Sequence, residues 1–156
     1  MNKVFSLIAF CIFSVLTVNA QTLNDKILKA SKWERLDNDK TYTVQCDFDS
    51  IKMYTHFHFL FEHPFKGKID TTLTINYKYY ITNNIPQKFE MNKVGNSSNG
   101  KYLVLYNITS KYLGPEDYIV YEITRVTNSE IEFTICKIPD DTTGSTGGKL
   151  IYRKKQ

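Results

Sequence analysis

"IDTTLTINYKYYI", residues 69–81, decides the architecture. Ile69, Leu73, Ile75, Tyr77, Tyr79 and Ile81 fall on one side of an extended chain, and Asp70, Thr72, Thr74, Asn76 and Lys78 fall on the other. Successive side chains of a strand point to opposite faces. The alternation therefore describes a strand with one apolar and one polar face, the mark of an antiparallel sheet rather than a parallel one. The same two-residue rhythm recurs on both sides of this stretch. Runs at 32–37, 41–48, 51–61, 69–82, 87–92, 101–109, 117–126, 130–138 and 149–154 are rich in Tyr, Phe, Ile, Val and Thr and read as strands. In "YLVLYNI" Tyr102, Val104, Tyr106 and Ile108 share one side, while Leu103 and Leu105 make the other side apolar too, so this strand is expected to be covered on both faces.

The breakers fall between these runs: Pro64 and Gly67, Pro86, Gly95 and Gly100, Gly114 and Pro115, Pro139, Gly144, Gly147 and Gly148. Connections such as "EHPFKGK", "NKVGNSSNG" and "TNS" are hairpin-sized, which makes sequence neighbours spatial neighbours. No crossover helix interrupts the strands. The expected fold is all-β, an antiparallel up-and-down barrel of eight or nine strands, with a β-sandwich as the alternative. One helical stretch precedes them, "TLNDKILKAS", with Leu23, Ile27, Leu28 and Ala30 at helical spacing and Thr22 as its cap. At two to three turns it needs a surface to lie on.

Residues 1–20 carry one basic residue, Lys3, then an apolar run and the small-residue ending Val18, Asn19, Ala20. That is the pattern of a secretory leader cleaved before Gln21, which places the mature protein outside the cell or in the periplasm. The run is short for a membrane span. Residues 21–156 then form a single domain, large enough for a core of its own. The formal net charge of +4 falls by one when Lys3 leaves, and the basic residues are scattered apart from "YRKK" at 152–155. No basic strip exists to neutralise a phosphate backbone, which argues against nucleic acid as a partner.

Cys46 and Cys136 remain after processing. Cys46 shares a face with Tyr42, Val44 and Phe48, whereas Cys136 lies opposite to Ile131, Phe133 and Ile135. With both apolar faces turned inward, the two sulfurs sit on opposite sides of the wall. A bulge or strand end would bring them together, so a disulfide and two separate thiols both stand.

The ends of the barrel carry a resemblance. Trp33, the only tryptophan, opens the first strand in "SKWERL", and Arg153 lies in the last strand in "LIYRK". With a meander between them, the chain from about Leu23 to Arg153 resembles the small lipocalin-like domains of secreted bacterial proteins, within the calycin group of ligand-binding barrels. Ser31 stands where the family's Gly-x-Trp motif has its glycine. The resemblance implies a structural contact in which Arg153 packs across the Trp33 indole.

"YTHFHFLF", 54–61, puts His56 and His58 on one face, with Glu62 continuing it and His63 beyond. On paper that is a partial zinc or copper set. The other face carries Met53, Thr55, Phe57, Phe59 and Phe61, so the expected reading is phenylalanines inward and histidines outward, with no metal. "DDTTGS" lacks the ligand spacing of a calcium loop, and "GSTGG" lacks the helix and Gly-Lys-Ser/Thr ending of a phosphate loop. No nucleophile elbow or other catalytic setting is present, so no catalytic residue, enzymatic activity or cofactor is assigned.

The expected lining is aromatic: Phe57, Phe59, Phe61, Tyr77, Tyr79, Tyr106, Tyr121 and Phe133. Buried phenols need hydrogen-bond partners. Several of them facing inward suggest a cavity with polar handles on apolar walls. The expected function is an exported barrel that binds a small hydrophobic or amphipathic ligand without transforming it. The alternative is a protein-interaction module, such as an inhibitor or envelope component, working through a sheet edge or loops over a solid core.

Overall fold

The computed structural model describes residues 23–96, 99–111, 114–142 and 144–156. The leader at 1–20 and the Thr22 cap lie outside the described residues. The strands are β1 (Leu23–Asn24), β2 (Trp33–Arg35), β3 (Tyr42–Phe48), β4 (Lys52–His63), β5 (Gly67–Thr82), β6 (Asn99–Gly100), β7 (Tyr102–Asn107), β8 (Tyr118–Val126), β9 (Glu130–Lys137) and β10 (Lys149–Lys154). Eight of them close into an antiparallel barrel in the order β10-β2-β3-β4-β5-β7-β8-β9. This is the up-and-down meander, and pairing of β10 with both β9 and β2 removes the open edges that a sandwich would keep. The remaining two, β1 and β6, pair with each other.

Inward residues follow from the registers. Val44 lies opposite Phe57, Cys46 opposite Thr55 and Phe48 opposite Met53; Thr55 and Met53 in turn face Ile75 and Tyr77. Continuing round the wall, Tyr79 meets Leu105 and Ile81 meets Leu103, and Tyr152 meets both Ile131 and Arg35. The main core holds Leu23, Leu28, Trp33, Cys46, Phe48, Met53, Tyr79, Ile81, Leu103, Leu105, Ile123, Phe133 and Tyr152, among others.

Helix α1, Asp25–Lys29, closes one end of the barrel. Its cap is Asn24, whose side chain accepts from the Lys26 backbone N–H at 2.8 Å, and Leu23 is in β1 rather than in the helix. At five residues it cannot stand alone. Burial of Leu28 and the Trp33 indole N–H, which donates to the Leu28 carbonyl at 3.0 Å, fix it in place.

A second cluster lies outside the wall: Tyr80, Phe89, Val104, Tyr118 and Val120, with Tyr106 packed against it. This covers the outer face of β7, as the doubly apolar "YLVLYNI" anticipates. The run at 87–92 is not a strand. β5 already pairs with β7, leaving this segment no ladder to join, and it forms a loop with a short 3-10 turn at Met91–Lys93. Phe89 from that loop sits against Tyr80 and Tyr106 at ring separations of 5.2 and 5.1 Å.

At the end away from α1, β4 and β5 outrun their neighbours. β3 pairs with β4 only as far as Tyr42 opposite Phe59, and β5 meets β7 only from Tyr77 onward. The rest is a two-stranded ribbon turning at Pro64–Lys66. Gly67, at φ 70, supplies the left-handed residue that such a three-residue loop requires.

Candidate functional site

A cavity of about 70 Å³ lies inside the barrel, lined by Arg35, Val44, Met53, Thr55, Phe57, Tyr77, Leu105, Tyr121, Leu150 and Tyr152. Strand β2 turns Arg35 inward because Trp33, two positions earlier, is held on the same face by the closed end. β10 places Tyr152 directly opposite Arg35. Tyr77 comes from β5 and Tyr121 from β8, on the inward side of their strands.

The walls are apolar and the polar groups converge. Arg35 is fixed by Asp37, which accepts from its Nε at 2.7 Å and from its Nη2. Burial opposes the charge, but these bonds outweigh it and hold the guanidinium above its usual pKa. The same bonds hold Asp37 below the ordinary carboxylate range. Tyr77, Tyr121 and Tyr152 are all pushed up by burial, with no hydrogen bond contributing to any of the shifts. They stay protonated at neutral pH. Three phenolic donors without a protein acceptor, beside a guanidinium, make the cavity a donor-rich site that an acceptor group would complete.

Of the aromatic residues expected to line the interior, Phe57, Tyr77 and Tyr121 do so. Phe59 stands one step toward the open end, half-buried against Tyr42 at a ring separation of 5.3 Å. Tyr79 and Phe133 point inward but belong to the packed core. The Tyr79 hydroxyl is engaged with Asp25 and the Asp49 carbonyl, and Phe133 fills space between Tyr121 and Tyr152. Two placements are corrected. Tyr106 points out of the barrel into the cluster around Phe89, since Leu103 and Leu105, not their neighbours, take the inner face of β7. Phe61 is 47% exposed because β4 has already passed the barrel rim at that point.

The Trp33–Arg153 contact is also corrected. Trp33 lies opposite Lys154, and Arg153 lies opposite Glu34 on the outer face, with its guanidinium 3.9 Å from Glu130. The inward arginine is Arg35. Its signal was parity with Trp33 in "WER". Tyr152, Thr55 and Leu150 were legible in the same way, by parity with residues already placed inside.

His56 and His58 face outward. His56 Nδ1 lies 2.9 Å from Thr74 Oγ1 and Nε2 lies 3.4 Å from Asp47; His58 Nδ1 lies 3.2 Å from Thr72 Oγ1. Among the described residues no three of His, Cys, Asp and Glu converge as a metal set. Cys46 and Cys136 are both free thiols, one inside the wall and one on its outer side. None of the described helices is long and apolar enough to cross a membrane.

Compared with protein-family models, curated proteins and solved structures, the chain matches none.

Proposed function

We propose that this protein is an exported lipocalin-like barrel that binds a small amphipathic ligand and does not transform it. The observation that carries this reading is the cavity with its three unpartnered phenols. The three hydroxyls border the void, and an acceptor that enters it would take up donors that the protein leaves unused.

The size of the void decides which part of the ligand enters. Pockets for whole drug-sized molecules run from about 300 Å³ upward, so 70 Å³ takes a head group of a few non-hydrogen atoms. A carbonyl or carboxylate fits the donors present. The remainder of the ligand would lie on Tyr42, Phe59 and Leu73, toward the open end, where Leu73 is 52% exposed. Asp37 is itself largely exposed, so a carboxylate could take its place on Arg35 at small cost.

Solvent extraction of the purified protein followed by mass spectrometry tests the reading. A stoichiometric small molecule bearing an acceptor head on an apolar body is the expected result. Protein that carries none, and that binds no member of a panel of fatty acids, their esters and long-chain ketones, overturns it.

A further inference from the structure

Among the described residues, the ribbon leaves one backbone edge of β5 without a partner strand. Asn76 marks where pairing on that side ends: its carbonyl accepts from the Ile108 N–H at 2.9 Å, and its own N–H donates to Thr109 Oγ1. Backbone groups of alternate residues point to alternate sides of an antiparallel strand. Those of Lys68, Asp70, Thr72 and Thr74 therefore point the same way as Asn76, away from β4, and meet no strand among the described residues. Four N–H and four C=O groups stand along an edge about 20 Å long, and Gly67, Lys68 and Asp70 through Leu73 are exposed.

This edge can pair with itself without setting like charges directly opposite each other. A two-fold axis at Thr71, between antiparallel copies, brings Lys68 opposite Thr74 and Asp70 opposite Thr72. All eight free backbone groups are then paired. On the other face Ile69 meets Leu73 of the second copy, twice by symmetry, and Thr71 meets Thr71. An axis at Asp70 would instead set the two Asp70 carboxylates against each other, which is unfavourable. Exposed apolar side chains adjoin this edge, with Phe61 47% and Leu73 52% exposed. Phe61 on β4 lies directly opposite Ile69 on β5, so it would flank the Ile69–Leu73 contact.

We propose that two copies of this chain associate through the β5 edge, residues 68–74, joining their ribbons into a continuous antiparallel four-stranded sheet. The edge is separate from the cavity and shares with the ligand reading only Leu73, which lies outside the cavity lining. Head-group binding and dimerisation are read by different experiments, so the failure of one is distinguishable from the failure of the other.

Sedimentation of the purified protein from about 1 µM to about 1 mM reads the association directly. A concentration-dependent dimer is expected. Thr72→Pro deletes an edge N–H in each copy and leaves the β4 ladder intact, because Thr72 lies opposite His58 at a position where the two strands exchange no backbone bonds. It should raise the dimer dissociation constant about tenfold or more. Thr71→Cys in a Cys136→Ser background offers a second readout that does not depend on tolerance of proline. At the axis the two Cα atoms are close enough for a disulfide, so oxidation should yield a cross-linked dimer far faster than Ser50→Cys in the same background. A monomer throughout the concentration range, or Thr71→Cys cross-linking no faster than Ser50→Cys, overturns the proposal.

Discussion

The Tyr79 hydroxyl lies 2.8 Å from Asp25 Oδ1 and 2.8 Å from the carbonyl oxygen of Asp49. One phenol on β5 thus ties helix α1 and the β3–β4 turn to the closed end of the barrel. Its single proton serves one acceptor at a time, and the charged carboxylate is the stronger of the two. Tyr79→Phe removes this link while keeping the ring that packs edge-on against Phe48. The expected loss is about 1–3 kcal/mol by denaturant titration, together with faster amide exchange in α1.

The closed end has a second constraint at Gly100, where β6 crosses β5. A methyl group there would sit 2.5 Å from the Thr82 carbonyl oxygen and 2.8 Å from its nitrogen, backbone atoms that cannot swing aside. Gly100→Ala should therefore separate β6 from β5 and weaken its pairing with Leu23. A stability loss of about 1–3 kcal/mol is expected, and a variant as stable as the parent would mean that β1 and β6 contribute little.

Much of this was readable in residue order, and the failures share one cause. The parity of 69–81 and of "THFHFLF" put the correct faces inside because a two-residue period is a local property. Tyr106 could not be placed that way, since both faces of β7 are apolar and only the distant Phe89 loop makes one of them an outer cluster. Phe61 was misplaced because parity says which face a residue is on but not where neighbouring strands stop. Arg153 failed for want of register. One position along β10 decides whether arginine or lysine faces Trp33, and that is set by pairing with β2 rather than by either sequence alone.

The two thiols should behave very differently. Cys46 is 3% exposed, and burial raises its pKa far above the usual thiol range; Cys136 is partly exposed on the outer face, with a smaller rise from the same cause. Thiolate is the reactive form. Of these two, Cys136 should label slowly in the native protein, and Cys46 should label only on unfolding. Reducing agent should leave the unfolding midpoint unchanged, whereas a drop on reduction would reveal a disulfide.

Removal of a cavity hydroxyl separates ligand binding from folding. Tyr121→Phe takes away an oxygen that has no protein partner, so stability should change by less than about 1 kcal/mol in either direction. Binding of an acceptor-bearing ligand should weaken by about tenfold. Stability loss as large as that of Tyr79→Phe would mean the phenol is structurally bonded, and unchanged affinity would place the ligand elsewhere.

High pH should unfold the barrel by way of its phenols. Burial pushes Tyr80 up to about 12, and it raises Tyr79, Tyr121 and Tyr152 as well. In the unfolded chain tyrosine titrates near about 10. Above that value the unfolded state has released protons that the folded state still holds, so stability falls as pH rises. The contribution of these groups is therefore complete below about pH 10 and declines as pH climbs through 10 toward 12 and beyond, by about 1.4 kcal/mol per pH unit for each phenol still protonated. Denaturant titrations at a series of alkaline pH values should show this decline, with tyrosinate absorbance rising cooperatively at the unfolding transition. Ionisation of all eleven tyrosines near about pH 10, with the fold intact, would contradict the burial of these four. Tyr80→Phe should flatten the decline, because it removes one of the enclosed phenols whose ionisation is held back by burial.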